Sequence, residues 1–313
     1  MNIKRRKLLV ILAITFLVIS AAVLGVSYYI LSQLTFVSDP MLYEGRQSEI
    51  AKMISDELFK RTDIEKISYP SRDGLRLSAY LVKRKNAKAN LLLCHGYRNT
   101  KEFMYAYIEM FPQCNIIMFD FRAHGESDGE IITIGCHEYK DVLASAEYMK
   151  NEVRGDDGHV LPLVVLGISM GGASAVKAAS VERRFCDALI IDSSFSNLNK
   201  MIRRGFSLKV GLPMFPFLYV TKAMLEYFAS CSIDTMDNQK AAEAIIIPVL
   251  FIHSCNDSFI KPSHSMRLYE HTHAPHTKLW IGPQCRHGWL HSGYSESYKH
   301  KVEKFLKKIG IPL

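Results

Sequence analysis

The sequence lacks the patterns that mark metal sites and nucleic-acid binding. Its seven cysteines include no C-x-x-C pair, and the histidines at positions 264, 271, 273 and 276 lack the partners of a zinc site. The net charge of +8 comes without the aromatic-interleaved basic motifs of nucleic-acid modules. We therefore expect neither a metal ion nor a nucleic-acid partner.

Charge is absent from a long stretch near the N-terminus. From Leu8 to Leu34 there is no Asp, Glu, Lys or Arg, and the basic cluster Lys4–Lys7 precedes this run. About 20 apolar residues suffice for a helix to cross a bilayer, so residues 1–34 are predicted to be a basic flank and transmembrane anchor. Because basic flanks stay cytoplasmic, the rest of the chain is expected outside the cytoplasm. Cleavage near Ser20–Ala22 would instead release a secreted protein.

The chain after the anchor divides into two parts. Residues 35–62 are predicted to be a juxtamembrane helical segment, with Ile50, Met53, Ile54 and Leu58 on one side. Residues 63–313 have no internal repeat or low-complexity segment, and the 48% hydrophobic content of the chain is enough for a large core. We expect one folded domain there.

Short aliphatic runs alternate with helical stretches through that domain. Helices are expected at about 101–111, 137–151, 170–181, 263–272 and 296–309. Two runs separated by Ser71–Gly74 predict an opening antiparallel hairpin. Later runs are apolar throughout, which is typical of parallel strands covered on both faces. The fold class is therefore α/β with a mostly parallel sheet flanked by helices. The eight predicted strands are 64–69, 75–82, 90–94, 116–119, 163–166, 188–191, 249–253 and 278–281.

One segment is too long to be a simple crossover. Residues 195–239 separate two successive strands, whereas a crossover needs about a dozen residues. The segment is rich in apolar and aromatic residues, including the stretch from Gly211 to Tyr219. We interpret it as a helical cap over the carboxyl edge of the sheet, where α/β folds bind ligands.

The sequence G-I-S-M-G at residues 167–171 lies between an apolar run and a helical stretch. A tight strand-to-helix turn with flanking glycines exposes a serine hydroxyl, so Ser169 is the predicted nucleophile. An oxyanion hole needs two backbone amides, one of them from the turn after an earlier strand. We assign these to Met170 and to Tyr97, which follows His95-Gly96.

Four motifs in this order resemble the serine α/β-hydrolase superfamily, especially its bacterial membrane-anchored or secreted esterase-like and lysophospholipase-like members. They are His95-Gly96, the segment D-F-R-A-H-G-E-S at 120–127, the serine turn, and a late acid and histidine. The second resembles D-x-R-G-H-G-x-S, with Ala123 in place of the first glycine. The resemblance implies a scaffold role for this segment and an eight-stranded sheet.

The acid and base are expected after the cap. H-S-C-N-D at 253–257 resembles the family's H-G-x-x-D, which makes Asp257 the predicted acid, with Asp192 as the alternative. His287, in the loop before the last helix, is the predicted base, with His291 as its competitor. The order Ser169, Asp257, His287 is the one that α/β hydrolases use.

The resemblance implies a serine hydrolase that cleaves a carboxylic acyl ester through an acyl-enzyme, without a cofactor. The apolar cap beside a membrane anchor favours a small acyl-ester or lipid-like substrate. A peptidase, a thioesterase or an acyltransferase on the same triad remains open, as does a catalytically silent membrane-tethered binding module. A peptidase would use carboxylates near the cap, for which Glu226, Asp234 and Asp237 are available.

Overall fold

The computed structural model describes residues 3–35, 46–58 and 60–312. Within these residues, eight strands form a single sheet. They are β1 (Ile64–Pro70), β2 (Arg76–Val82), β3 (Ala89–Cys94), β4 (Cys114–Phe119), β5 (Leu163–Ile168), β6 (Ala188–Asp192), β7 (Val249–Ser254) and β8 (Lys278–Gly282).

The strand order is β1-β2-β4-β3-β5-β6-β7-β8. β2 pairs antiparallel with β1 and with β4, and every later pair is parallel. Alternate side chains enter two apolar clusters on opposite faces: Leu92 lies in one, and Leu91 and Leu93 lie in the other. Burial on both faces explains the unbroken apolar runs, and the predicted mostly parallel sheet is confirmed.

Helices flank this sheet and fill the segment between β6 and β7. That segment holds three helices, Leu198–Lys209, Met214–Ala229 and Asn238–Ala242, and a 3-10 turn at Ile233–Thr235. The α-helices are α1 (Ile3–Thr35), α2 (Arg46–Leu58), α3 (Ala106–Met110), α4 (Glu138–Glu152), α5 (Met170–Val181), α6 (Leu198–Lys209), α7 (Met214–Ala229), α8 (Asn238–Ala242), α9 (Ser263–His271), α10 (Leu290–Gly293) and α11 (Ser295–Lys308).

Two predicted helices differ from the structure. The helix expected at 101–111 is a 3-10 turn, Lys101–Met104, followed by the short α3. The buried Asp120 carboxylate accepts from both the Lys101 amide (2.8 Å) and its ammonium (2.6 Å), which holds this turn against the end of β4. Of the predicted segment 35–62, α2 occupies 46–58, and residues 36–45 lie outside the described residues.

α1 is long and apolar enough to cross a membrane, with a mean hydropathy of 2.9. Its side chains are largely exposed up to Val26, and Ser27, Ile30 and Leu31 are buried. Those residues pack on the cap: Ser27 Oγ donates to the Phe217 carbonyl at 3.3 Å, and Ile30 shares an apolar cluster with cap side chains. The last turns of α1 therefore contact the domain directly.

A disulfide joins the cap to the sheet domain. Cys136, just before α4, is bonded to Cys231, just after α7, across 95 residues of sequence. A local C-x-x-C pattern does not indicate this pair, because its two cysteines are distant in the chain. Cys94, Cys114 and Cys186 are buried free thiols, which pack as small apolar side chains.

Candidate active site

A strained turn positions Ser169 between β5 and α5. Its φ of 55° and ψ of −113° lie outside the usual helix and strand regions, and its amide donates to the Asp192 carbonyl at 2.8 Å. Gly171 must be glycine here, because a Cβ would lie 2.2 Å from the Cys94 carbonyl oxygen. The turn therefore presses α5 against the end of β3 and leaves the serine side chain at the carboxyl edge of the sheet.

The structure brings the three predicted side chains into one hydrogen-bonded chain. His287 Nε2 lies 2.9 Å from Ser169 Oγ, and His287 Nδ1 lies 2.6 Å from Asp257 Oδ2. Ser169 and Asp257 are buried, and the His287 side chain is 22% exposed. A ring held between a hydroxyl and a carboxylate can accept the serine proton while the carboxylate stabilises the imidazolium.

Asp257 is held ionised by its surroundings. Burial raises the pKa of its carboxyl, but hydrogen bonds from His253 and His287 outweigh burial, and the net pKa lies well below the usual range. The amides of Phe259 and Ile260 each donate to Asp257 Oδ1 at 2.9 Å. The other carboxylate oxygen, Oδ2, lies 2.6 Å from His287 Nδ1 and 3.3 Å from His253 Nε2.

The alternative acid and base lie outside this chain of hydrogen bonds. Asp192 is fully buried and accepts from Ser193 Oγ at 2.8 Å, and burial raises the pKa of its carboxyl. His291 stacks on Tyr107 with ring centroids 5.0 Å apart, and burial lowers its pKa to about 4. The geometry thus favours Asp257 and His287 over both.

The two predicted oxyanion amides lie beside the serine. Tyr97 and Met170 line the same cavity as Ser169, and among the described residues neither amide donates a hydrogen bond. The His95 ring braces this loop, since its Nε2 accepts from the Phe121 amide at 3.1 Å. Free amides on either side of a nucleophile are what a developing oxyanion requires.

Above Ser169 lies an apolar cavity of about 120 Å³. Its walls come from α1, α6, α7 and the loop after β7; examples are Leu34, Phe206, Leu225 and Ile260. Lys222 is the one charged side chain among its described lining residues, and its ammonium lies 2.9 Å from Asp234 Oδ1. The site therefore suits an apolar group next to the reacting carbonyl.

The carboxylates proposed for amine recognition point to other partners. Asp234 also accepts from Asn199 at 2.8 Å and is exposed, and Glu226 accepts from Ser232 Oγ at 3.1 Å. Asp237 caps α8 by accepting from the Gln239 and Lys240 amides. None of these three carboxylates is among the described residues that line the cavity.

Sequence reasoning missed the contribution of α1 to this site. Leu31, Leu34 and Thr35 line the cavity. The Leu34 carbonyl accepts from the Tyr97 hydroxyl at 2.5 Å, and the Gln33 carbonyl accepts from the Arg98 guanidinium. These bonds join residues more than sixty positions apart, so no local pattern could have revealed them.

Comparison with known proteins agrees with this architecture. A family model described as serine aminopeptidase, S33, matches residues 85–238. Protein YqkD of Bacillus subtilis is 25% identical over 255 residues, covering 80% of this chain and 81% of that protein. Membrane protein YNL320W of Saccharomyces cerevisiae is 26% identical over 231 residues, covering 71% and 73%. Esterase Pf2001 of Pyrococcus furiosus has a similar structure (TM-score 0.64, 23% identity, 82% of this chain and 94% of the esterase).

The fold defined by this sheet, serine turn and cap is the α/β-hydrolase fold. The resemblance to the α/β-hydrolase superfamily, predicted from four motifs, is confirmed by the family model that matches residues 85–238. The similar structure of the Pyrococcus furiosus esterase confirms the fold.

Proposed function

We propose that this protein is a serine hydrolase that cleaves a carboxylic ester. The observation that carries the proposal is the continuous chain from Ser169 Oγ through the His287 ring to the Asp257 carboxylate, at 2.9 and 2.6 Å. His287 takes the Ser169 proton as Oγ bonds to the ester carbonyl carbon. The amides of Tyr97 and Met170 hold the oxyanion of that tetrahedral intermediate.

The intermediate then collapses to an acyl-enzyme. The C–O bond to the leaving alcohol breaks, and His287 returns its proton to that oxygen. Water, deprotonated by His287, attacks the Ser169 ester, and the carboxylic acid departs as Ser169 regains the proton. These steps need no metal or organic cofactor.

An ester fits the surroundings of Ser169 better than a peptide. Cleavage at a free amino terminus calls for a carboxylate near the reacting bond, whereas the available cap carboxylates bond to Lys222, Ser232 and main-chain amides. The description of the matching family as serine aminopeptidase keeps a peptidase as the second candidate. Aminoacyl p-nitroanilides, assayed beside p-nitrophenyl esters, distinguish the two.

The proposed location is a membrane, with α1 as a single span and the catalytic domain outside the cytoplasm. The basic Lys4–Lys7 cluster immediately before the apolar run supports this orientation. The Cys136–Cys231 disulfide also supports it, since such bonds persist mainly in oxidising compartments.

The test is labelling of the detergent-solubilised full chain by a fluorophosphonate probe, in parallel with Ser169→Ala and His287→Ala. The full chain is needed, because Leu31, Leu34 and Thr35 line the cavity. We expect labelling of the unsubstituted chain and no labelling of either variant. Ser295→Ala removes an exposed serine and is the matched control. This variant should be labelled like the unsubstituted chain. A folded, unlabelled wild type would support the silent binding module instead.

A further inference from the structure

The last turns of α1 form one wall of the cavity above Ser169. Leu31 is 1% exposed and, with Leu34, faces the cavity opposite cap residues such as Ile202 and Leu218. Ile30, one position before Leu31, packs with Phe206 and Leu218 in an apolar cluster. The helix long enough to cross a membrane is thus also part of the site.

The length of α1 places this wall at the membrane surface. Its exposed apolar part, Leu8–Val26, rises about 28 Å, which matches the roughly 30 Å of bilayer hydrocarbon. Leu31 and Leu34 then lie about 8 and 12 Å beyond the hydrocarbon, at the level of the lipid head groups.

Exposed aromatic side chains lie on α7, the cap helix that packs against this end of α1. Tyr28 packs on Phe228 of α7 with ring centroids 6.3 Å apart. On α7, Phe215 is 77% exposed, Tyr219 53% and Tyr227 81%. Aromatic rings concentrate at membrane–water interfaces, where an apolar ring meets polar head groups. α7 therefore presents an interfacial surface next to the cavity wall.

We infer, building on the proposed ester hydrolysis, that the substrate is a single-chain lipid ester drawn from the membrane that holds α1. Its acyl chain lies between α1 and the cap helices α6 and α7, with the ester carbonyl at Ser169. The apolar lining favours an alkyl chain. The cavity volume of about 120 Å³ is small compared with the roughly 300–1,000 Å³ of drug-sized sites, which favours one chain over two.

Two matched pairs of variants test this assignment in the full chain, reconstituted in phosphatidylcholine vesicles. Gly205→Leu fills the cavity, and Gly25→Leu makes the same change on the lipid-exposed side of α1; a Cβ at either glycine meets nothing within 4 Å. Leu34→Trp narrows the cavity at its α1 wall, and Leu24→Trp makes the same substitution at an exposed position of α1. The substrates are p-nitrophenyl acetate, p-nitrophenyl dodecanoate, and monododecanoyl glycerol mixed into the same vesicles.

We expect Gly205→Leu and Leu34→Trp to lower the ratio of kcat/KM for either dodecanoyl ester to kcat/KM for the acetate by about tenfold or more. Gly25→Leu and Leu24→Trp should leave this ratio unchanged. Fluorophosphonate labelling of Ser169 is measured in every variant. Normal labelling with an unchanged ratio of dodecanoyl to acetyl hydrolysis overturns the inference alone, whereas absent labelling in the wild type overturns the proposed function.

Discussion

The hydroxyl of Tyr97 donates a 2.5 Å hydrogen bond to the main-chain carbonyl of Leu34. This bond joins the loop that carries a proposed oxyanion amide to the end of α1. The neighbouring Arg98 guanidinium bonds to the Gln33 carbonyl, so two successive loop residues hold the same helix end. Two hydrogen bonds therefore hold the loop that carries Tyr97 against the end of α1.

Tyr97→Phe should slow catalysis by loosening that loop. Removing one neutral hydrogen bond costs about 1 kcal/mol, so we expect a several-fold lower kcat on p-nitrophenyl acetate with little change in KM. The short ester is chosen because it does not fill the cavity. Tyr294→Phe is the control, since its hydroxyl makes a long, exposed bond of 3.4 Å to the Gln284 carbonyl. Equal kcat values for the two variants would contradict the loop-holding role.

Asp257→Asn should reduce kcat by about 10⁴-fold, because an amide can hold the His287 ring in the wrong tautomer and does not stabilise its positive charge. Asp192→Asn is the matched control, since that buried carboxyl has a raised pKa and makes no bond to His287. Its activity should stay within about threefold of the wild type. Circular dichroism checks that both variants are folded, and the reverse order of activities would identify Asp192 as the acid.

Much of this architecture could be predicted because its causes are local. Strands β3 to β8 are short apolar runs in the sequence. The glycines around Ser169 indicate a tight turn, and position 171 has no room for a side chain. Chain order then placed Asp257 and His287 after the cap, and the structure brings both within hydrogen-bonding distance of one another.

Features that depend on packing between distant segments could not be predicted. The Tyr97–Leu34 bond spans 63 residues and the Cys136–Cys231 bond spans 95, so neither has a local sequence pattern. The 3-10 turn at Lys101–Met104 likewise depends on Asp120, which directly follows β4 and accepts from the Lys101 amide and ammonium. The hydrophobicity of α1 predicted a membrane span. Apolar residues that line a cavity have the same composition, so the contribution of α1 to the cavity wall could not be distinguished in the sequence.

The Cys136–Cys231 disulfide should stabilise the attachment of the cap. Replacing both residues with serine is expected to cost about 2–5 kcal/mol of unfolding free energy. The measurement is the melting temperature with and without reductant: dithiothreitol should lower it in the wild type and leave the double variant unchanged. Cys255→Ser, at an exposed free thiol, is the control and should respond to reductant like the wild type. Reductant sensitivity in the double variant would show that another pair matters.

Acid should destabilise the fold partly through His291. Burial lowers the pKa of this ring to about 4 in the folded chain, compared with about 6.5 when unfolded. The unfolded state therefore binds the proton more tightly, so the contribution is fully present above about pH 6.5 and is lost as the pH falls toward about 4. The loss is on the order of 1 to 3 kcal/mol.

The check is the melting temperature of the detergent-solubilised chain between pH 7.5 and pH 4.5, for the wild type, His291→Gln and His300→Gln. Because glutamine does not titrate, His291→Gln should lose less stability over this interval than the wild type, whatever its absolute stability at pH 7.5. His300 is exposed on α11, so its variant should follow the wild-type curve. Parallel curves for all three proteins would mean that the ring of His291 is protonated in the folded chain as readily as in the unfolded one.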